Sequence, residues 1–353
     1  MIVARETLNR VLSLTAGVAE SSSKPVLGCV LFADGTVTAT DLEIRVSVAV
    51  PEVDGPPVLL RHDRLSAIVR EARGADEVEI DAGKTTATVR AGRSSWTLPT
   101  EDPTEFPSAG SVDAVPLADV SALQWVALAR QTVPATDTES SRYALGGVLL
   151  ERGGGELAAV ATDGRRLVAL RWPADGEATS AILPARAVTV ISRAAAAEVG
   201  GTVCLTRTPA EVIAVAGDVT VRARLVDGRF PRWRDVFPKG AGKSYQVTPG
   251  KLLAAVRQAS IVTSETSKAA TFAFGDCLRL SSVSAEYGEA SIECDLLAPG
   301  EVTSVRLDPQ FVASLAKTLD DTVPIEIVVG NADTAVVFRS GPTTAVIMPM
   351  GAE

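Results

Sequence analysis

The ten residues from Ala161 to Leu170, ATDGRRLVAL, put an Asp-Gly turn in front of two adjacent arginines, Arg165 and Arg166, and then close into an apolar run. An aspartate beside two guanidinium groups could take part in acid–base chemistry, grip a phosphate, or rim a pocket for a protein partner. Catalysis would need a nucleophile, a base or a metal close by. The chain has one histidine, His62, so a Ser-His-Asp triad or a zinc site is hard to build, and His62 is expected on a helix surface. The four cysteines, Cys29, Cys204, Cys277 and Cys294, form no C-x-x-C pair and lie in or beside apolar segments, as buried free thiols do. No GxxxxGK[ST] segment is present to cradle a nucleotide. Asp41 and Glu43 occupy an equivalent turn, ATDLE, so the acidic position reads as repeated architecture. The rival is an enzyme using Asp41, Glu43 and Asp163 on a repeated β scaffold, which predicts metal-dependent turnover. No catalytic residue, metal ligand or cofactor is assigned.

A chain of 353 residues is too long for one ordinary core, and two or three domains are expected. Hydrophobic residues make up 46% and charged ones 22%, a globular composition without an apolar run long enough to span a membrane. The N-terminus, MIVARETLNR, lacks the layout of a secretory signal, so a cytoplasmic address is expected. A net charge of −9 argues at first sight against nucleic acid as a partner.

The elements that must position the turn recur along the chain. A helical pattern, ETLNRVLSLTAGVAE, runs into strand-like SSSKPVLGCVLFADGTVTATDLEIRVSV; LADVSALQWVALARQTV leads likewise into RYALGGVLLERGGGELAAVATDGRRLVAL; and GKLLAAVRQASIVT leads into ATFAFGDCLRLSSVSAEYGEASIE. Each copy has a second half of the same kind, opened by RHDRLSAIVREAR, PARAVTVISRAAAAEV and DPQFVASLAKTLD. The expectation is an α+β fold of three repeated domains, 1–112, 113–242 and 243–353, each with two helices packed on antiparallel sheets of about eight short strands. Boundaries fall near Ser111 and Gly242, where Pro, Gly, Ser and Ala collect. Repeated units can join their sheets edge to edge, and a second copy, head to tail, could close the open row.

The blocks ATDGRRLVAL, LVDGRFPRW (Leu225 to Trp233), RYALGGVLLE (Arg142 to Glu151) and VIMPM (Val346 to Met350) stand in this order, and on them the chain resembles the bacterial DNA polymerase III β subunits, the sliding clamps, over essentially its full length. The resemblance implies a DNA clamp fold, a ring-shaped homodimer around duplex DNA, and no enzymatic activity. It implies a processivity factor that a clamp loader places on DNA and that tethers the replicative DNA polymerase and repair polymerases through short hydrophobic motifs. Two helices in each of six domains, spaced like packed helices, leave a hole roughly 25 Å wide, enough for a duplex.

Charge sorts by element in the same sense. Expected phosphate contacts are Arg10, Lys24, Arg70, Arg73, Arg186, Arg193, Lys251 and Arg257, while acidic residues such as Glu101, Asp102, Glu289 and Glu293 lie in loops and strands. Ordinary solvated helix surface is the alternative for these cations. The resemblance further implies a partner-peptide pocket of Leu145, Thr162, Gly164, Arg165, Arg166, Leu167, Pro231, Val236, Val346, Ile347, Met348, Pro349 and Met350, and a dimer contact at Phe106, Ile261 and Val262. Core packing is the alternative for the apolar members. Two features depart from the family: Asp235 stands where a basic residue is common, and the tail Gly351-Ala352-Glu353 lacks the usual arginine-containing ending.

Overall fold

Helices form where apolar residues recur every three or four positions, and strands where they alternate or run together between turn residues. In α1, Arg5–Thr15, this spacing turns Leu8, Val11, Leu12 and Thr15 inward. The others are α2 (His62–Glu71), α3 (Ala122–Thr132), α4 (Ala185–Ala197), α5 (Pro249–Ala259) and α6 (Pro309–Ala316). Proline stands at the start of α5 and α6, where its missing N–H costs nothing, and Asp308 caps α6 by accepting from the Gln310 N–H at 2.8 Å.

The computed structural model describes residues 1–19, 24–110, 113–138, 143–198, 200–263, 268–331 and 333–351. The expected boundary at Ser111, Arg142 at the head of its block, and the terminal Ala352 and Glu353 lie outside the described residues. Among the described residues one order of elements occurs three times: a strand, a helix, four strands, a helix, three strands. The strand that leads each repeat (Ile2–Ala4, Val115–Ser121, Lys243–Val247) did not figure in the sequence expectation, which began each copy at the helix.

Two compact units result. The first, Met1–Val126 with Arg186–Leu225, contains a twelve-stranded antiparallel sheet. Strand Ile44–Ala49 pairs there with Val219–Arg224, Val46 opposite Val221, which joins the sheets of two successive repeats. Both strands alternate buried and half-exposed residues, so this register keeps Ile44, Val46 and Val48 on the same buried face as Val219, Val221 and Ala223. The Trp125 side chain, fully buried, donates its indole N–H to the Val188 carbonyl at 3.4 Å.

The second unit, Ala127–Ala185 with Val226–Glu353, holds an eight-stranded and a four-stranded sheet. Here Arg166–Pro173 pairs with Thr343–Ile347, Arg166 opposite Ile347. Leu167 to Leu170 and Thr343 to Ile347 are buried throughout, and burial on both faces accounts for the unbroken apolar run of the first and for the lack of alternation in the second. The arginine pair therefore stands at the start of a strand whose ladder partner belongs to the next repeat.

Candidate functional site

The turn that carries the arginines is tied by its own side chains. Thr162 Oγ1 donates to the Arg166 carbonyl at 2.6 Å and accepts from the Gly164 N–H at 3.1 Å. One carboxylate oxygen of Asp163 accepts from the N–H groups of Arg165 (3.0 Å) and Arg166 (2.9 Å). Gly164 sits at φ +86°, a left-handed conformation natural to glycine. The earlier turn is built in the same way: Asp41 accepts from Glu43 (3.0 Å) and Ile44 (2.7 Å), and Leu42 takes φ +80°. The aspartates shape the backbone of both turns through these bonds.

The two arginines have separate tasks. Arg166 Nε donates to Asp163 Oδ2 at 2.9 Å, its guanidinium also reaches the Pro134 carbonyl, and it lies 4.6 Å over the Phe311 ring. Its side chain is 15% exposed and that of Asp163 17%, so the pair is largely desolvated. Arg165 is exposed, its carbonyl accepts from the Met348 N–H at 2.9 Å, and its guanidinium pairs with no carboxylate among the described residues. Replacing Arg166 with alanine should therefore cost about 2–3 kcal/mol of stability, since it strands a mostly buried carboxylate. Arg165→Ala should cost under about 0.5 kcal/mol. Thermal unfolding of the two variants checks this, and equal losses would contradict the division.

A cleft of ≈ 530 Å³ opens beside the turn, lined by Leu145, Thr162, Gly164, Arg165, Arg166, Leu167, Pro231, Trp233, Val236, Val346 and Met348. Most of the residues expected for a peptide pocket meet here. Ile347 is turned away, 1% exposed, into a smaller cavity with Gln131, Pro134 and Phe311. Pro349 and Met350 lie beyond the lining, and the Met350 N–H donates to the Arg306 carbonyl at 2.8 Å. Leu167, 2% exposed, packs into one apolar cluster with Val346, Phe230 and Trp233, so it is at once core and cleft floor.

Trp233 was not foreseen, although it ends the block LVDGRFPRW. Its indole N–H donates to Glu151 at 3.2 Å, and the Phe237 ring meets it edge-on at 6.0 Å. The Arg234 guanidinium lies 4.2 Å over the indole and binds both Glu151 and Glu156, the latter at 3.0 Å. Ordinary pairing thus fixes the short helix Trp233–Val236 as a rigid wall.

The expected phosphate contacts divide as well. In the first unit Arg10 binds Asp218, Arg186 binds Asp41 and the Gly17 carbonyl, and Arg193 donates to the Ala16 carbonyl at 2.9 Å. Arg70 faces its neighbour Glu71 at 3.4 Å, and Lys251 reaches Asp295 at 3.0 Å. Lys24 precedes the short helix Pro25–Gly28. Arg73 and Arg257 have no ion-pair partner among the described residues. Arg257 and Lys317 line an open groove between α5 and α6 with Leu253, Ser260, Gln310, Ala313 and Ser314.

Of the residues expected at a dimer contact, Ile261 is 76% exposed on the short helix Ser260–Val262, which packs against the edge strand Gly288–Cys294. Val262 is half-buried. Phe106, only 7% exposed, belongs to the chain's own core with Leu27, Cys29 and Leu59, under the Arg45 guanidinium at 5.5 Å.

The thiols are not uniformly buried as expected. Cys29 and Cys294 are, Cys277 is half-buried, and Cys204 stands exposed. Burial pushes the Cys29 thiol up to about 11, which keeps it protonated and unreactive at neutral pH. His62 opens α2 and its Nε2 meets the Leu12 carbonyl at 2.9 Å. No helix among the described residues is long and apolar enough to cross a membrane.

Residues 121–232 match the family model of the DNA polymerase III beta subunit, central domain. The chain is 30% identical to the beta sliding clamp of Pseudomonas aeruginosa over 274 residues, 74% of each chain. It is 27% identical to that of Escherichia coli over 340 residues, 90% of this chain and 89% of the relative. Among solved structures it is similar to the DNA polymerase III subunit beta of Pseudomonas aeruginosa, with TM-score 0.91 and 25% identity over the whole of both chains. A sliding clamp from the same organism bound to griselimycin gives TM-score 0.92 at 24% identity, covering 100% of this chain and 99% of that one.

Proposed function

The chain belongs to the family of bacterial beta sliding clamps, the β subunits of DNA polymerase III, and from that premise we propose how its own residues carry out the work. Its function is that of a DNA sliding clamp and processivity factor, an accessory and not a catalyst. Three domains, 1–112, 113–242 and 243–353, form each protomer; two protomers meet head to tail through Ile261 and Val262, and the ring encloses duplex DNA in the cytoplasm. A clamp loader opens and places it. Replicative and repair polymerases dock short hydrophobic tails in the cleft beside Arg165. Tethering raises the effective concentration of polymerase at the primer end, so that dissociation is followed by rebinding on the same DNA.

The observation that carries this reading is the cleft itself: an apolar floor of Leu145, Leu167 and Val346 between two braced walls. Such a preformed trough suits a flexible tail, because only the tail has to be ordered on binding, and the exposed Met348 thioether adapts to different side chains.

Topological linkage supplies the test. The loaded protein should stay on closed circular DNA and leave once that DNA is linearised; equal retention on both forms would rule out a ring. Phosphate contacts from the lining should act without sequence preference. Arg73→Ala and Arg257→Ala should each flatten the salt dependence of DNA association by about one unit of slope, as expected for one lost phosphate contact. Measurement of binding across a salt series reads this directly, and an unchanged slope would remove these two residues from the lining.

A further inference from the structure

We propose that Asp41 and Asp218 are masking carboxylates: they hold two helix arginines, Arg186 and Arg10, away from phosphate and so keep the grip of the ring on DNA weak. This rests on reading the chain as a ring around duplex DNA, and it assigns two acidic residues a part in setting how tightly that ring holds.

The masked arginines occupy the same helix positions as groups that stand open in the third repeat. Counted from the first residue of each helix, Arg186 and Arg193 of α4 match Gln310 and Lys317, which line the open groove with Arg257. Arg10 of α1 matches the exposed Ala254 of α5. Neither Arg257 nor Lys317 pairs with a carboxylate among the described residues. Arg10, by contrast, is gripped in a two-pronged pair: its Nη1 donates to Asp218 Oδ1 at 3.2 Å and its Nη2 to Asp218 Oδ2. Arg186 donates to Asp41 Oδ2 and to the Gly17 carbonyl. Asp41 divides its oxygens: Oδ1 takes the backbone N–H groups of Glu43 and Ile44, and Oδ2 goes to the arginine. The turn needs one oxygen and no charge, so the negative charge of Asp41 serves Arg186 alone.

Both pairs join successive repeats, 208 and 145 positions apart in sequence. A carboxylate fixed in the same chain meets its arginine at high effective concentration, and a phosphate passing through the hole does not displace it. Arg193 is held differently, by the Ala16 carbonyl at 2.9 Å, which leaves its charge in place. The masking therefore removes two cations per protomer and spares the others. A ring that encloses DNA is retained by topology, and each further phosphate contact would multiply its affinity and slow its sliding.

The test is association of the full-length protein with a short linear duplex across a salt series. Asp41→Asn with Asp218→Asn should steepen the salt dependence by about two units of slope and tighten binding at least about tenfold near 0.1 M salt. Asparagine keeps the oxygen that the turn needs, and Asp218→Asn alone, which alters no turn, should give about one unit. Arg10→Gln with Arg186→Gln should abolish the gain in the asparagine background and leave the slope of the otherwise wild-type protein unchanged. Neutralising Glu52 and Asp54, which are exposed and pair with no cation among the described residues, changes the net charge equally and should leave the slope alone. An unchanged slope in folded Asp218→Asn protein, or an equal gain from Glu52→Gln with Asp54→Asn, would overturn the proposal. If the wild-type protein does not associate with the duplex even at low salt, the reading as a DNA ring falls first, and the proposal with it.

Discussion

Ile261→Glu together with Val262→Glu should turn the protein from a dimer into a monomer in sedimentation velocity at micromolar concentration. Ile261 presents a large aliphatic side chain to solvent, 76% exposed, next to an edge strand whose outer side has no ladder partner among the described residues. An apolar side chain so placed is expensive to leave wet and useful to bury, and an edge strand is a ready template for another chain. A carboxylate forced into the same contact loses its hydration without gaining a partner, at several kcal/mol per charge. Even about 4 kcal/mol in total weakens association roughly a thousandfold. The monomer should keep its fold, because the end of α5, which leads into the short helix, is held by Ser282 Oγ donating to the Ala259 carbonyl at 2.6 Å. A stable dimer in the doubly substituted protein would place closure elsewhere. Phe106 is a poorer target, since its burial with Leu27 and Leu59 means that a substitution there damages the protomer before it touches any contact.

The second large effect separates the pocket from the core. Val236→Asp, with or without Met348→Asp, should cost at least about 2 kcal/mol of affinity for a hydrophobic partner tail, since a charge is then desolvated against the tail's anchors. Val236 is 39% and Met348 43% exposed, so the unbound fold should barely respond. Leu167→Lys should behave in the opposite way. With 2% exposure and packing among Phe230, Trp233 and Val346, it would put an ammonium group into the core and should destabilise the fold by about 4 kcal/mol or more. Peptide titration and thermal unfolding, run on both substitutions, check the pair of outcomes together. Tight tail binding by a folded Val236→Asp protein would mean that the cleft has another use.

How much of this was legible beforehand depends on the range of the interactions concerned. The threefold repeat, the positions of the helices and the edge-to-edge joining of sheets follow from local periodicity and from the presence of repeated strands. The equivalence of Asp41 and Asp163 was likewise visible as a repeated word, and the structure shows the same hydrogen-bonded turn in both places, with Leu42 strained where Gly164 is at ease. Such features are decided within a few residues. The leading strand of each repeat escaped notice because a strand of three to seven residues ahead of a helix has too few positions to show an alternation.

The amino-acid sequence by itself therefore determined the repeat, its turn chemistry and the residues that could build the cleft. Only the tertiary structure decided which of them are free to act. Arg165 and Arg166 are chemically identical neighbours, yet one faces solvent and the other is spent on Asp163, Pro134 and Phe311, the last 145 positions away. Arg10 and Asp218, 208 positions apart, meet as an ion pair, and so a cation that sequence assigns to DNA already has a carboxylate beside it. The same holds for Trp233, whose place in the cleft is set by Glu151, 82 positions earlier. The physical reason is that an ionic or aromatic group takes its role from the partner it meets within a few ångströms. Spacing along the chain fixes which face a residue occupies, but the partner arrives from a distant segment and is chosen when the sheets of successive repeats join.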